Sequence, residues 1–378
     1  MLMTMPALRR TVFALSLVAN TAIFQCFAAS AEPTRRTGVN QIQALSNSKQ
    51  GIWHESPVLS EAIDQLLIRN WESINKLSGD EWSEQIWDLA LNLASKKASN
   101  YITNTVQKLP FVLNASINIG VRSQGTTNIG GEALFKLADF GLKEDNTRNG
   151  IAFLHTKYTG SFSNDSTYNT GLGFRHLIGD ELLVGINSYW DYRTTNYSTS
   201  YSRFGIGGEI FWNTLSLRNN WYMSGTGRKS ISIQETDYYE RVVPGWDLEL
   251  GYRLPSNPNI AFFLRGFRWD YKERDDNTGM QGTVAYQITP HIRVDSWVSN
   301  EIPANPTQSN TSLDDREDLV VGLNFTLTAN KVTYKPHDTK QVLQQEMVSP
   351  VRRRYDVLLE RWAKATTTNS FTNNVGGS

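Results

Sequence analysis

Residues 182–192 read LLVGINSYWDY, and apolar and polar side chains alternate along this stretch. One face of an extended chain carries the apolar and aromatic side chains Leu182, Val184, Ile186, Trp190 and Tyr192. The other face carries the polar side chains Asn187 and Asp191. A strand that crosses a membrane needs this pattern, because one face contacts lipid and the other faces a polar lumen; about 9–11 tilted residues suffice.

The same alternation recurs between residues 115 and 327. We predict twelve strands, near residues 113–123, 131–142, 149–160, 166–177, 181–193, 202–212, 214–224, 244–255, 260–272, 279–289, 291–300 and 317–328. A closed barrel is favoured because lipid cannot satisfy an open sheet edge, and bacterial barrels usually have an even strand number. A soluble sandwich also alternates, but its strands are usually shorter, at about 5–6 residues. The predicted fold class is all-β, a twelve-stranded transmembrane outer-membrane β-barrel with a short N-terminal periplasmic helical segment and a C-terminal linker helix.

The composition fits this class. Lys and Arg together number 37, as do Asp and Glu, so the net charge is zero and gives no electrostatic reason to expect nucleic acid as a partner. The mean hydropathy of −0.41 argues against a helical membrane protein. It is compatible with a barrel, because half of each strand faces water. The aromatic content of 11% suits the girdles of such barrels.

The N-terminus has the features of a cleaved Sec signal peptide over residues 1–31. Arg9 and Arg10 precede an apolar run at 12–24, and Ala29-Ser30-Ala31 resembles a cleavage site. The lone cysteine, Cys26, would leave with the signal, so we expect no disulfide in the mature protein. Export together with a barrel predicts the outer membrane of a Gram-negative cell.

Helical spacing of apolar residues from about residue 58 to 106 predicts a periplasmic helical segment over 32–110. A peptidoglycan-binding module is the alternative, although no sugar site is recognisable there. The barrel occupies 111–329, a linker 330–362, and a Thr-, Asn- and Gly-rich disordered tail 363–378. Within the linker, the sequence predicts a helix from 341 to 347, a break at Pro350 and a further helix over 351–362.

Alternation also assigns the inner wall, which we expect to carry both signs of charge. The predicted lumen-facing residues are Arg175, Asn187, Asp191, Arg203, Glu209, Arg218, Asp247, Glu249 and Arg253. Gly205 and Gly207 also face inward, which would let another segment pass closely through the lumen. Strand 260–272 fits worst, because Arg265 falls among Phe263, Phe267 and Trp269, taken as outward; a bulge or snorkelling would be needed. The link at 225–243 is charged and is expected to be an exposed surface loop.

Several ordered motifs resemble the translocator domains of inverse autotransporters, the intimin and invasin group. They are NTGLGFRH at 169–176, GINSYWDY at 185–192, RFGIGGE at 203–209, DYYER at 237–241 leading into GWD at 245–247, and RYD at 354–356. The resemblance covers roughly residues 85–362. It implies a twelve-stranded barrel whose C-terminal linker threads the pore outward, here through Arg352, Arg353, Arg354, Tyr355 and Asp356. We expect the three arginines to lie near inward acids such as Asp191, Glu209 or Glu249.

The last predicted strand, with Gly322 inside and Phe325 and Leu327 outside, resembles the signal read by the barrel assembly machinery. The expected partners are therefore that machinery, periplasmic chaperones, outer-membrane lipid and lipopolysaccharide. The chain departs from the family after Trp362, where 16 residues follow, and no LysM-like module is evident at the start.

We expect no enzyme. The five histidines lie far apart with no metal-ligand spacing, so no catalytic, cofactor or metal residue is predicted. An outer-membrane hydrolase is the rival enzyme class. Three functions remain open: a translocator that exports separately encoded protein, an adhesin acting through its loops or tail, and a residual pore or structural barrel.

Overall fold

The computed structural model describes residues 111–122, 128–142, 147–161, 165–195, 197–198, 200–233, 236–301 and 319–364. The predicted signal peptide and periplasmic segment, and residues 365–378 of the tail, lie outside the described residues. Twelve antiparallel strands close into a barrel, which confirms the predicted fold class. They are β1 (Val112–Arg122), β2 (Asn128–Phe140), β3 (Gly150–Ser161), β4 (Ser166–Ile178), β5 (Leu182–Thr194), β6 (Tyr201–Trp212), β7 (Leu215–Ser224), β10 (Gly245–Arg253), β11 (Ile260–Trp269), β12 (Asn277–Thr289), β13 (Ile292–Ser299) and β14 (Val320–Thr328).

The barrel closes where β1 pairs with β14, with Ile119 opposite Phe325. Each remaining barrel strand pairs with its sequence neighbour, except that β7 pairs directly with β10. Among the described residues, no helix is long and apolar enough to cross a membrane.

Residues between β7 and β10 form a hairpin rather than the predicted exposed loop. Its strands are β8 (Lys229–Ile233) and β9 (Thr236–Val242). A fifteenth strand, β15 (Leu359–Ala363), pairs antiparallel with β9, and the three form a separate small sheet. We call it the outer sheet. Local alternation could not show this arrangement, because β15 comes from the far end of the chain.

The two ends of the barrel differ. Tight turns join β4 to β5 at Gly179 and β6 to β7 at Asn213, where both residues have positive φ, 63° and 53°. The two longest connections, at 225–244 with the outer-sheet hairpin and at 300–319, leave the opposite end. Outer-membrane barrels have short periplasmic turns and long external loops, so the tight turns mark the periplasmic end.

Side chains alternate across the wall as predicted. Outward Ile186 and Ile206 are 67% and 52% exposed, whereas inward Leu183 and Arg175 are fully buried. The outward apolar band is the surface that lipid covers.

The prediction for β11 was wrong, because its faces are inverted. Phe263, Arg265, Phe267 and Trp269 all point inward and are 8% exposed or less, and Phe262 and Leu264 face outward. No bulge interrupts the register between β11 and its two neighbours. Aromatic side chains are stable in this lumen because they pack against arginines, such as the half-buried Arg352 over the ring of Phe263 at 3.7 Å.

After β14 the chain turns into the barrel and forms α1 (Thr339–Met347). Asp338 caps the helix, since its Oδ1 accepts a hydrogen bond from the backbone N–H of Gln341 at 2.9 Å. The apolar face of α1 is buried against inward side chains near the periplasmic end; the cluster comprises Leu113, Leu134, Ile151, Phe153, Leu177, Leu183, Tyr189, Phe211, Leu343, Met347 and Val351. The helix therefore fills this end of the lumen.

The second predicted helix, over 351–362, is absent. Residues 350–358 contain no helix, and residues 359–363 form β15. Pro350 has no N–H to continue the hydrogen-bond ladder of α1, and wall side chains bind the carbonyls that a helix would use internally.

Candidate functional site: the lumen and its linker

The linker runs from the periplasmic turns to the outer sheet. At one end Lys340 pairs with Asp180 in the β4–β5 turn at 3.0 Å, and the N–H of His337 donates to the carbonyl of Pro255 at 3.0 Å. At the other end the N–H of Val243 donates to the carbonyl of Leu358 at 2.9 Å. Extended residues advance about 3.3–3.6 Å each, so 348–358 can cross the ~30 Å hydrocarbon layer. The chain thus spans the pore once.

The side chain of Arg175 on β4 binds the C-terminal end of α1. Its Nε and Nη2 donate to Glu209 at 2.9 and 3.2 Å, which fixes the guanidinium on the wall. Its Nη1 then reaches the carbonyls of Glu346, Met347 and Ser349 at 2.9, 3.1 and 2.6 Å. The last carbonyls of a helix have no internal partner, and a cation is favourable at that end. Arg175 therefore stabilises both the end of α1 and the start of the extended segment.

Four hydrogen bonds from three side chains converge on the carboxylate of Asp191 on β5. Arg353 of the linker binds it through two hydrogen bonds of 2.9 and 2.8 Å. Arg203 on β6 donates from Nε to the same carboxylate at 2.8 Å, and Asn169 on β4 adds a fourth bond at 2.8 Å. A carboxylate that binds two guanidiniums in a dry site is held in a single geometry.

Arg203 also binds the linker backbone. Its Nη1 donates to the carbonyl of Asp356 at 2.9 Å, and its Nη2 donates to those of Arg354 and Tyr355 at 2.7 and 3.3 Å. Arg203 therefore joins the wall acid Asp191 to the main chain of the linker.

The other two linker arginines reach different parts of the wall. Arg352 donates to Glu249 on β10 at 2.7 and 3.0 Å. Arg354 pairs with Glu301, which lies just after β13 and also accepts hydrogen bonds from Arg265 at 2.6 Å and Trp269 at 2.8 Å. Three consecutive linker side chains are thus fixed to three acids around the lumen.

Tyr355 packs into an aromatic corner of the lumen. Its ring lies edge-on to Tyr189 and His155, with centroids 6.2 and 5.9 Å away, and Lys157 approaches it at 4.5 Å. This places a linker side chain on the β3–β5 part of the wall.

All nine predicted lumen residues point inside. Asp191 and Glu249 bind the linker arginines as expected, whereas Glu209 binds the wall residue Arg175 instead. The remaining interactions are Arg218 with Glu249 at 3.2 Å, Arg253 with Glu346 at 2.7 Å, and Asp247 with Asn220 and Tyr222 at 2.8 and 2.7 Å. Asn187 is buried, and both polar atoms of its amide lack a partner.

The predicted assembly-signal residues lie at the β13–β14 part of the wall. A Cβ added to Gly322 would lie 2.2 Å from the ring of Trp297. Phe325 packs with Ile119 and Val294 and is 6% exposed, and Leu327 is 7% exposed.

Sequence reasoning missed Arg193 and Glu301. Arg193 donates to the carbonyl of Val357 at 2.6 Å and to Asp165 at 3.0 Å. Alternation could have found it, because Arg193 lies two residues after Asp191 on the same strand face. Glu301 lies two residues beyond the end of β13, where no strand pattern predicts the direction of its side chain.

Two inward glycines on β6 make room for other side chains, Gly205 for the linker and Gly207 for the wall. A Cβ added to Gly205 would lie 2.5 Å from Nη2 of Arg353, and one added to Gly207 would lie 2.5 Å from Oδ1 of Asn220. Gly205 therefore lets the guanidinium of Arg353 lie directly against the wall.

The linker does not fill the lumen. A cavity of about 530 Å³ follows the inner faces of β1 and β14 over their full height. Uncharged polar side chains line much of it, including Ser116, Asn118, Gln281, Thr283, Asn324 and Thr326. The linker's hydrogen bonds to β4–β7 and β10 hold it against the opposite wall. The wall contacts of the linker backbone thus lie on one side of the lumen, and the cavity lies on the other, where linker side chains reach Arg122, Asp295 and Glu301.

The fold and this site together define an outer-membrane β-barrel with its own linker threaded through the pore. The profile of a family described as "Inverse autotransporter, beta-domain" matches residues 69–355. The chain belongs to this family, and it is an outer-membrane protein of the translocator and adhesin type.

Two curated relatives come from Escherichia coli (strain K12). An attaching and effacing protein homolog is 33% identical over 140 residues, which are 36% of this chain and 42% of that protein. The inverse autotransporter adhesin YeeJ is 28% identical over 215 residues, which are 53% of this chain and 8% of YeeJ. The chain thus spans less than half the length of each of these relatives.

Among solved structures, a chain from a study of the in-meso crystallization of membrane proteins has a TM-score of 0.49 at 18% identity, covering 66% of this chain and all of that one. The KdgM porin has a TM-score of 0.36 at 7% identity, covering 58% of this chain and 99% of the porin.

Proposed function

We propose that this barrel is a polypeptide translocator of the intimin and invasin type, which exports separately encoded protein to the cell surface or medium. The observation that supports this is the linker itself. An extended polypeptide crosses the lumen from the periplasmic turns to the outer sheet, with its backbone bound to wall side chains. A lumen that accommodates one extended chain has the chemistry to accommodate another.

The physical requirement for such passage is that backbone polar groups stay satisfied inside the pore. An unpaired buried carbonyl or N–H costs free energy comparable to a lost hydrogen bond. Here wall donors reach the linker carbonyls from residue 346 to residue 357. The proposal assigns no catalytic chemistry to the lumen.

An adhesin is the second candidate. The outer sheet places β9 and β15 at the external end, where another surface could be contacted. One relative is also named as an adhesin.

The proposal includes delivery by a cleaved Sec signal over residues 1–31, periplasmic chaperones, the barrel assembly machinery, and contact with outer-membrane lipid and lipopolysaccharide. N-terminal sequencing of the mature protein tests the signal. A sequence beginning near Glu32 is expected, and an intact Met1 would contradict it.

The main test compares the secreted and surface proteins of a deletion strain with those of wild type. Export of separate cargo requires the linker to leave its path, so a locked linker should block it. Trp362 lies opposite Tyr239 in the outer sheet, at a spacing that suits a disulfide. The matched set is the deletion strain complemented with wild type, with the W362C/Y239C variant, and with each single cysteine variant.

We expect one or more proteins to disappear from the surface or medium in the deletion strain. They should return with wild type and the single variants, and return with the double variant only under reducing conditions. Identical protein profiles in all strains would exclude export in trans. Lost cell attachment with an unchanged profile would support the adhesin instead.

A further inference from the structure

Three wall arginines share one arrangement along the lumen. Arg175, Arg203 and Arg193 each bind a wall acid with one part of the guanidinium, namely Glu209, Asp191 and Asp165. Each then donates from Nη1 to main-chain carbonyls of the linker. We call these three residues the arginine ladder.

The ladder follows the direction of the pore. Arg175 lies at the level of Gly185 on β5, near the periplasmic end, and Arg203 lies at the level of Asp191. Arg193 is two residues further along β5 toward the outer end. The ladder therefore binds the linker at the end of α1 and again near the outer end of the extended segment.

These contacts do not depend on linker side chains. The acceptors are the carbonyls of Glu346, Met347 and Ser349 at Arg175, three more at Arg203, and that of Val357 at Arg193. Every residue of any polypeptide carries such a carbonyl. Asn169 and Asn220 add donors to the carbonyls of Tyr355 and Arg352 at 2.9 and 3.3 Å.

The wall acids prevent the ladder from attracting anions instead. Arg175 and Arg203 are fully buried, and their carboxylate partners are 3% exposed or less. Each guanidinium is thus paired with a carboxylate and held in place, with its remaining N–H groups aimed at the linker. Arginine suits this role because its planar fork offers five donors in fixed directions.

A second set of contacts involves linker side chains and therefore depends on the linker sequence. Arg352, Arg353 and Arg354 bind Glu249, Asp191 and Glu301 through their side chains. These pairs define which segment comes to rest in the pore, whereas the ladder donates to backbone carbonyls, both at the end of α1 and in the extended segment.

We propose that the arginine ladder is a sequence-independent binding track for extended polypeptide in transit, and that the linker occupies it when transport has ended. This rests on the proposed translocator function. Its ligand class is the backbone of an unfolded chain of any sequence.

The test uses the full chain with an unstructured, epitope-tagged polypeptide fused after Ser378. Two fusions are compared, one rich in Gly and Ser and one rich in acidic residues. Appearance of the tag on intact cells is followed after induction, for the wild-type barrel and for the R175K and R203K variants. Lysine keeps the charge but loses the planar fork.

The matched control is R265K. Arg265 is also a buried lumenal arginine paired with an acid, but its side-chain hydrogen bonds go to the side chains of Gln281 and Glu301 and, among the described residues, to no backbone carbonyl of the linker. Heat-modifiable mobility reports barrel folding in every variant, and rates are compared per folded barrel.

We expect the ladder variants to expose both fusions several-fold more slowly than wild type and R265K, by the same factor for both fusions. Equal rates of tag exposure in all barrels would refute the proposal that the arginine ladder is a binding track. A slowing confined to the acidic fusion would replace the track with charge recognition. If the tag fails to appear even with the wild-type barrel, passage of a chain through this lumen is refuted and the ladder proposal falls with it. Export in trans is judged separately, by the secreted proteins of the deletion strain, which separates the two proposals.

Discussion

Arg353 and Asp191 form a bidentate ion pair inside the barrel, in which the side chains are 1% and 0% exposed. One belongs to the linker and the other to the wall, so this pair joins the threaded segment to the membrane-embedded strands. Tyr189 lies beneath the guanidinium, with its ring centroid 4.1 Å away.

Removing one partner of this pair should release the linker. Breaking a buried ion pair from one side costs about 3–5 kcal/mol where an uncompensated charge stays behind. Asp191 keeps Arg203 as a partner, so we expect a smaller cost here. We expect R353Q to make the linker sensitive to added protease and to lower the urea midpoint for unfolding. D276N is the control, since it breaks the Arg268–Asp276 pair at the surface, where the side chains are 51% and 31% exposed. Equal protease resistance in R353Q and wild type would contradict the clamp.

A side chain at Gly205 should displace Arg353 from the wall. Its Cβ would lie 2.5 Å from Nη2 of Arg353, so G205V pushes the guanidinium away from Asp191. We expect protease sensitivity like that of R353Q, with the barrel still folded by heat-modifiable mobility. G208A provides the matched control on the same strand, because an added Cβ there meets nothing within 4 Å. Similar behaviour of the two variants would show that Gly205 has no spacing role.

A charge on the outward face of β14 should impair assembly. Phe325 packs with Ile119 and Val294 on that face. Arginine or lysine at mid-membrane costs about 2–4 kcal/mol and aspartate less, so F325D should lower the amount of folded barrel. N324D changes the neighbouring inward residue, which lines the cavity, and should be tolerated. Normal levels of F325D would count against the outward assignment.

Epitope tags should report the orientation. Gly227 precedes the outer-sheet hairpin, and Ser256 lies in the β10–β11 connection at the tight-turn end. A tag at Gly227 should bind antibody on intact cells, whereas one at Ser256 should bind only after permeabilisation. The opposite result would invert the barrel in the membrane.

Removing the linker should open the pore. The wild-type barrel retains a cavity of about 530 Å³ beside the linker, so we expect a small single-channel conductance in planar bilayers. Deleting residues 335–378 should raise it markedly, because α1 and the extended segment leave the lumen. An introduced cysteine in N187C should then react faster with thiol reagents. Unchanged conductance in a folded barrel would refute the plug.

Much of the barrel could be predicted from sequence, because a period of two directly encodes which face of a strand meets lipid. That rule placed Asp191 and Glu249 inside, and the family motif placed Arg353 in the pore beside them. It failed for β11, where Phe263 and Trp269 were assigned to lipid by hydrophobicity. Their true neighbours, linker arginines and Glu301, come from segments far away in the sequence.

The linker shows a second limit of predicting structure from the sequence. The sequence of 351–362 is compatible with a helix, but its conformation depends on donors such as Arg203 and Arg193 that the wall supplies. The pairing of β15 with β9 likewise joins two segments with no local signal for each other. Such features depend on tertiary contacts rather than on local pattern.

The antiparallel pairing of β15 with β9 also has a mechanical consequence. Tension applied to the chain beyond Lys364, along the axis of β15, would act in shear on the pairing of Leu359–Ala363 with β9. The backbone hydrogen bonds of this pairing would then resist the force together. Further force would pass to the Arg361–Glu240 pair and then to the arginines bound deeper in the lumen. A pull from outside the cell would therefore be borne by the barrel wall, and through it by the membrane, before the threaded segment could slip.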